Sequence, residues 1–180
     1  DRSALPARSE MCIRDSQETA DELILSDSGA WRHSRLVSDL VSARDRHRQE
    51  GKLRDVQVRV IYGDTGTGKT SAVLNGLQSL GSVYRVTHWG TGKFDGYDGQ
   101  ESLFLDEFAG QPPIEELLTW LDVFPVTLAA RYRSRQAMFV RVVLCSNSAP
   151  ETWYKFAPKA QRAALARRLH LVEAVSYTHL

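Results

Sequence analysis

Cysteine is nearly missing from this 180-residue chain. The two that occur, Cys12 and Cys145, stand far apart and outside any metal-ligand spacing. That excludes a disulfide framework and a zinc site and reads as an intracellular protein. Long apolar runs are missing as well: none approaches the roughly 18 residues of a membrane span, and no signal peptide is visible. Net charge is slight, +1 at pH 7, so any contact with nucleic acid must come from a local patch and not from the chain as a whole. Between residues 17 and 174 there is no repeat, low-complexity tract or long linker. What is present is a 42% hydrophobic chain, enough for one sizeable core. Only five of its 23 basic residues are lysine. The arginine excess suits bidentate phosphate contacts, and a GC-rich coding sequence would produce it equally well.

The two ends read differently. "MCIRDS" (Met11 to Ser16) and "VSYTHL" (Val175 to Leu180) back-translate to ATGTGTATAAGAGACAG and to its reverse complement, extended and read one frame along. That DNA looks like a transposase end used as a sequencing adapter. Residues 1–16 and 175–180 are therefore expected to be adapter scars and are left out of fold reasoning. On this reading the natural protein is cut at both ends, and any domain ahead of Gln17 is missing.

Residues 17–54 are expected to form a linker and a packing helix used in oligomerisation. In 30–49, Trp31, Leu36, Val37, Leu40 and Val41 recur at helical spacing, and Gly51 is a plausible stop. Residues 55–174 are the main domain. "DVQVRVIYG" alternates Val56, Val58 and Val60 with polar partners, which predicts a strand entering a glycine-rich turn. The pattern continues with a helix near 69–80, a strand near 82–88, an aromatic loop over 89–101, a strand at 102–106 and a helix at 113–121. A hairpin, a buried strand at 141–145 and helices over most of 151–168 complete it. Strands separated by helices predict an α/β fold with a central parallel-type sheet and ligands beyond the strands' C-terminal ends.

Residues 63–70, "GDTGTGKT", satisfy G-x-x-x-x-G-K-[ST] between a predicted strand and a predicted helix, the context that pattern requires. Gly63, Gly66 and Gly68 let the backbone turn tightly, and Asp64, Thr65 and Thr67 fill the loop, so that its N–H groups and the next helix's positive end face phosphate. Lys69 is expected to reach the β and γ phosphates of ATP, and Thr70 to offer its hydroxyl to Mg²⁺. "SLFLDEF" then places Asp106 at the end of a buried strand on the same sheet edge as a metal holder, with Glu107 next to it to polarise water. An acidic pair is also a common helix cap, here for the helix at 113. Asn147, after "VVLCS", suits orientation of the lytic water or sensing of the γ phosphate, and equally a turn before Pro150. Arg167 and Arg168 on a late helix are surface charges in a monomer, but in a ring either reaches a neighbour's ATP. "LAARYRSRQ" gathers Arg131, Tyr132, Arg133 and Arg135 at a hairpin tip, suited to phosphates and base stacking on a single strand; a solvated basic turn is the alternative.

Taken in order, the phosphate loop, "KFDGYDGQESLFLDEF", the basic hairpin, "LCSN" and "RR" resemble the superfamily 3 helicase domain of replication-associated proteins from circular single-stranded DNA viruses, the circovirus-like group in particular. The resemblance covers about residues 55–172. It implies a P-loop NTPase of AAA+-like build with a basic β-hairpin, using ATP and Mg²⁺ and forming a ring, commonly a hexamer, around single-stranded DNA. The implied location is the host nucleus, with no membrane. Residue by residue, Gly63, Gly68, Lys69 and Thr70 match Walker A, Asp106 and Glu107 match Walker B, and Arg131 matches a DNA-contacting hairpin residue. Asn147 matches motif C, and Arg167 or Arg168 the arginine finger. The Asp-Glu pair departs from a frequent Asp-Asp, and the loop leans toward a geminivirus-like pattern. The family's origin-nicking nuclease domain has no counterpart in these residues. Two other functions fit the same residues: a motor on single-stranded RNA, or a nucleotide-gated ring that binds without unwinding.

Overall fold

The computed structural model describes residues 13, 18, 20–26, 34–131 and 134–175. The chain divides into two units, residues 1–52 and 53–180. In the first, α1 (Ala20–Ser26) accompanies α2 (Ser34–Gln49). The helical spacing read from the sequence is the reason they meet: Val37 and Val41 are buried with Leu23 and Ile13, and Leu36 and Leu40 flank them. Trp31, expected on the same stripe, lies outside the described residues.

The second unit is built on a five-stranded sheet. Its strands are β1 (Gln57–Gly63), β2 (Val83–Val86), β3 (Ser102–Leu105), β6 (Arg141–Ser146) and β7 (Leu171–Val175). Every pairing is parallel, and the spatial order is β2-β3-β6-β1-β7. A separate antiparallel pair joins β4 (Thr127–Leu128) to β5 (Arg135–Gln136). The helices α3 (Lys69–Gln78), α4 (Ile114–Trp120) and α5 (Lys159–Arg168) link the strands, since parallel neighbours need crossovers.

Alternation along each strand divides the core in two. Val58, Val60, Leu103, Leu105, Val142 and Leu144 join Leu117, Trp120 and Leu165 of α4 and α5 in one cluster. Phe104, Val143 and Cys145 point the other way and meet Val73 and Leu77 of α3. Each such side chain, fully buried, stabilises by about 1.5–3 kcal/mol. Below the strands' N-terminal ends, Arg54 is buried and donates to the carbonyls of Trp120, Asp122 and Phe124. Burial lowers its pKa, with the charges of Tyr97 and Asp122 opposing.

Helix covers most of 151–168, as expected, but in two pieces: a 3₁₀ turn at Pro150–Thr152 is followed by a break in which Tyr154 takes φ 52°, and α5 begins only after Pro158. Proline's missing N–H fits a helix start and not a helix interior. The strand β7, which pairs with β1, was not anticipated. It is an edge strand, LVEAV, with Leu171 and Val172 exposed, and its short apolar run is interrupted by Glu173 and closely follows α5. It ends at Val175, the first residue of the stretch read as a C-terminal scar.

Candidate functional site

Because β6 lies between β1 and β3, the loops leaving the C-terminal ends of these three strands emerge side by side. They bring together the glycine-rich loop after β1, Asp106 and Glu107 after β3, and Asn147 after β6. All border one cavity of about 310 Å³, with Thr65, Gly66, Thr67, Gly68, Lys69 and Thr70 on its other side. Gly63 takes φ 152°, and a Cβ there would collide with the Val175 carbonyl of β7, so close passage of the edge strand demands glycine. Gly68, at φ 76°, caps the start of α3.

Lys69 turns back over its own loop. Its Nζ donates to the carbonyls of Gly63 (2.8 Å) and Asp64 (2.6 Å) and to Thr67 Oγ1 (3.2 Å). Gly63 and Asp64 thus hold the lysine and do not line the cavity. Among the described residues no cluster of three His, Cys, Asp or Glu could hold a metal unaided. Thr70 and Asp106 supply two oxygen donors, so a cation here would complete its shell with phosphate oxygens and water, as Mg²⁺ characteristically does. The residues fit Mg²⁺-nucleotide on that count.

Asp106 is 2% exposed, and its carboxylate is fully engaged. Oδ1 accepts from Thr70 Oγ1 at 3.1 Å and from the Glu107 N–H at 3.0 Å. Oδ2 accepts from Arg85 Nε at 3.0 Å and from an Arg85 terminal nitrogen. Parity explains the geometry: Asp106 follows Phe104 by two and so stands on the α3 side of the sheet, where Arg85 of β2 also points. The helix-cap alternative fails, since α4 starts seven residues later behind Pro113 with no side-chain cap. Glu107 adopts a left-handed φ of 50° and is exposed; for a non-glycine residue that costs on the order of 1–3 kcal/mol. Its carbonyl is held by Gln111 Nε2 at 2.7 Å. In the cavity wall, burial and then the charge of Asp106 push the Cys145 thiol up to about 11, leaving it protonated and inert at neutral pH.

Sequence reasoning missed Arg85. It is a lone cation inside the strand "VYRV", and it meets Asp106 only because β2 lies beside β3 in register.

Other expected site residues lie elsewhere. Arg131 Nε is 2.8 Å from Asp95 Oδ2, and its N–H reaches Asp95 Oδ1 at 2.8 Å. Arg135 pairs with Asp98 at 3.2 Å. Tyr132 and Arg133 lie outside the described residues. The loop "KFDGYDG", opaque as sequence, acquires a role here. Phe94 and Tyr97 are buried and Tyr97 Oη accepts the Met138 N–H, while the two aspartates between and after them grip the hairpin arginines. Arg168 forms an ion pair with Asp122 at 2.7 Å, beneath the sheet beside Arg54 and away from the cavity; Arg167 is exposed on the same last turn of α5.

No family model matches the chain. The chain is similar to viral replication-associated proteins. The protein of beak and feather disease virus is 34% identical over 102 residues, 55% of this chain and 32% of that protein. That of porcine circovirus 1 is 30% identical over 114 residues, 62% of this chain and 35% of the relative. A more extended match, 27% over 154 residues, covers 79% of this chain and 30% of the replication-associated protein of Avon-Heathcote Estuary associated kieseladnavirus. The chain therefore spans about a third of the length of the curated relatives it matches.

Proposed function

We propose that residues 53–175 are the ATP-hydrolysing motor of a viral replication-associated protein, a superfamily 3 helicase domain that translocates on single-stranded DNA as a ring. The observation that carries this reading is the hydrogen bond from Thr70 to Asp106. It joins the glycine-rich loop to the acidic strand end, two features 36 residues apart that a nucleotide motor needs in contact. The similarity to replication-associated proteins supports the setting.

Mg²⁺-ATP would supply the phosphoanhydride whose cleavage drives the motor, with Thr70 and Asp106 holding the cation. The loop N–H groups and the α3 N-terminus bind phosphate charge. Lys69, whose Nζ donates to the Gly63 and Asp64 carbonyls, would instead donate to phosphate oxygens of the bound nucleotide. Glu107, exposed at the cavity's border, would accept a hydrogen bond from a water beside the γ phosphate and aim it, and Asn147, just after β6, would orient the same water. An arginine from the next subunit neutralises developing charge. Such a motor would act where viral DNA is copied, in the host nucleus.

The test is ATP hydrolysis by the full chain, alone and with single-stranded DNA or RNA. Hydrolysis stimulated more by DNA is expected. Absence of hydrolysis in a folded oligomer would sink the reading, and stronger stimulation by RNA would transfer the motor to the other strand chemistry.

A further inference from the structure

Asp106 carries its charge in a place where water hardly reaches. A buried carboxylate is tolerable only when paired and hydrogen-bonded, and a nucleotide motor spends part of every cycle without its metal. Some other cation must then compensate Asp106. Lys69 is turned to the loop carbonyls of Gly63 and Asp64. Among the described residues, Arg85 is the cation that pairs with Asp106.

We infer that Arg85 is a positioning residue that stands in for the metal's charge on Asp106 and thereby sets the Mg²⁺ concentration at which the site loads. This rests on the ATPase reading. Three observations support it. Both Arg85 contacts fall on Oδ2, while Thr70 and the Glu107 N–H occupy Oδ1, so the guanidinium fixes the carboxylate's rotation with Oδ1 toward the phosphate loop. The Arg85 side chain is 42% exposed against 3% for Asp106, so the arginine can withdraw into solvent while the acid cannot. The Phe104 ring, with its centroid 5.9 Å from the guanidinium carbon, provides an apolar shelf over which the arginine reaches its partner and to which it returns.

Removing the guanidinium has two opposite consequences. The metal-free protein loses the partner of a buried charge and becomes less stable. A divalent cation no longer competes with a fixed positive charge and binds more readily. A merely structural arginine would give the first effect without the second.

The experiment uses the full chain as wild type, Arg85→Gln and Arg85→Lys. Thermal melting is followed in chelator without nucleotide, and binding of a fluorescent ADP is titrated with Mg²⁺. Arg85→Gln is expected to melt lower in chelator, and its half-saturating Mg²⁺ to fall roughly three- to tenfold, the range for removing one partly screened charge near a dication. Arg85→Lys keeps the charge and is expected to stay near the wild-type Mg²⁺ requirement, so it also serves if the glutamine variant does not fold. An unchanged or raised Mg²⁺ requirement in Arg85→Gln, or a lowered one in Arg85→Lys, overturns the inference while leaving the ATPase reading intact. A wild-type chain that binds no ADP at any Mg²⁺ concentration overturns both.

Discussion

At the scale of single residues, Lys69 and Asp106 differ in what their removal does to the fold. Lys69 makes three hydrogen bonds, all within its own loop, and leaves no buried partner behind. Lys69→Ala is therefore expected to lower ATP hydrolysis by on the order of 10²-fold or more while shifting the melting temperature little. Asp106→Asn keeps the shape but loses the charge that balances Arg85 and that the proposed Mg²⁺ site would use. Its hydrolysis should fall comparably, and a melting curve in chelator should show the altered pairing. Equal loss of stability in both variants would argue that the loop lysine is structural. Much of this site was legible beforehand, because glycine spacing, a terminal aspartate and an asparagine each announce themselves in sequence. Arg85 was not, because its meaning depends on β2 lying beside β3, which is a fact of strand order and not of local pattern.

At the scale of elements, the loop between β2 and β3 fixes the hairpin. Gly92 takes φ 85°, a backbone conformation strained for any residue with a Cβ, and a Cβ there would also push aside the Arg131 and Asp95 side-chain ends. Gly92→Ala is accordingly expected to destabilise by about 1–3 kcal/mol, read by urea unfolding. The two ion pairs differ in burial. Arg131 and Asp95 are 52% and 26% exposed, and Arg135 and Asp98 are 17% and 10% exposed. Asp95→Asn should therefore cost no more than about 1 kcal/mol, and Asp98→Asn about 1–3 kcal/mol. Their effects on nucleic acid should also differ from simple damage. Asp95→Asn leaves Arg131 with no carboxylate in its place, so single-stranded DNA should bind more tightly at low salt with a steeper salt dependence. Unchanged binding would show that Arg131 serves the fold alone. The hairpin's existence and its charge were readable in the sequence. Its acidic counterparts were also in view as "FDGYDG", but the pairing of residues 36 apart needs the fold to reveal it. The edge strand β7 stayed hidden for a related reason: LVEAV is apolar but only five residues long and follows a helix closely, and a short apolar run does not by itself separate strand from helix end.

At the scale of the whole molecule, the two arginines at the end of α5 divide their roles. Arg168 is tied to Asp122, and the pair closes the underside of the sheet beside Arg54. Burial alone would raise the Asp122 pKa, but the Arg168 hydrogen bond, two backbone N–H groups and the arginine's charge outweigh it and hold the carboxyl below its usual 3.8. A carboxyl depressed in the folded state contributes stability above its unfolded pKa and loses it as pH falls through the folded value. Arg168→Ala should thus lower stability near neutrality by up to about 1 kcal/mol, since both side chains are partly exposed, and the difference from wild type should shrink as pH drops below about 4. Arg167 is exposed and no such cost attaches to it, so Arg167→Ala should melt like wild type. If the motor is a ring and Arg167 enters the neighbour's site, this variant binds nucleotide normally yet does not hydrolyse it. Mixing Arg167→Ala with Lys69→Ala then creates interfaces where an intact Lys69 faces an intact Arg167, and hydrolysis should return to an intermediate level at equal amounts. Failure to recover any activity, in mixtures shown by mass to contain both variants in one ring, would place the finger elsewhere.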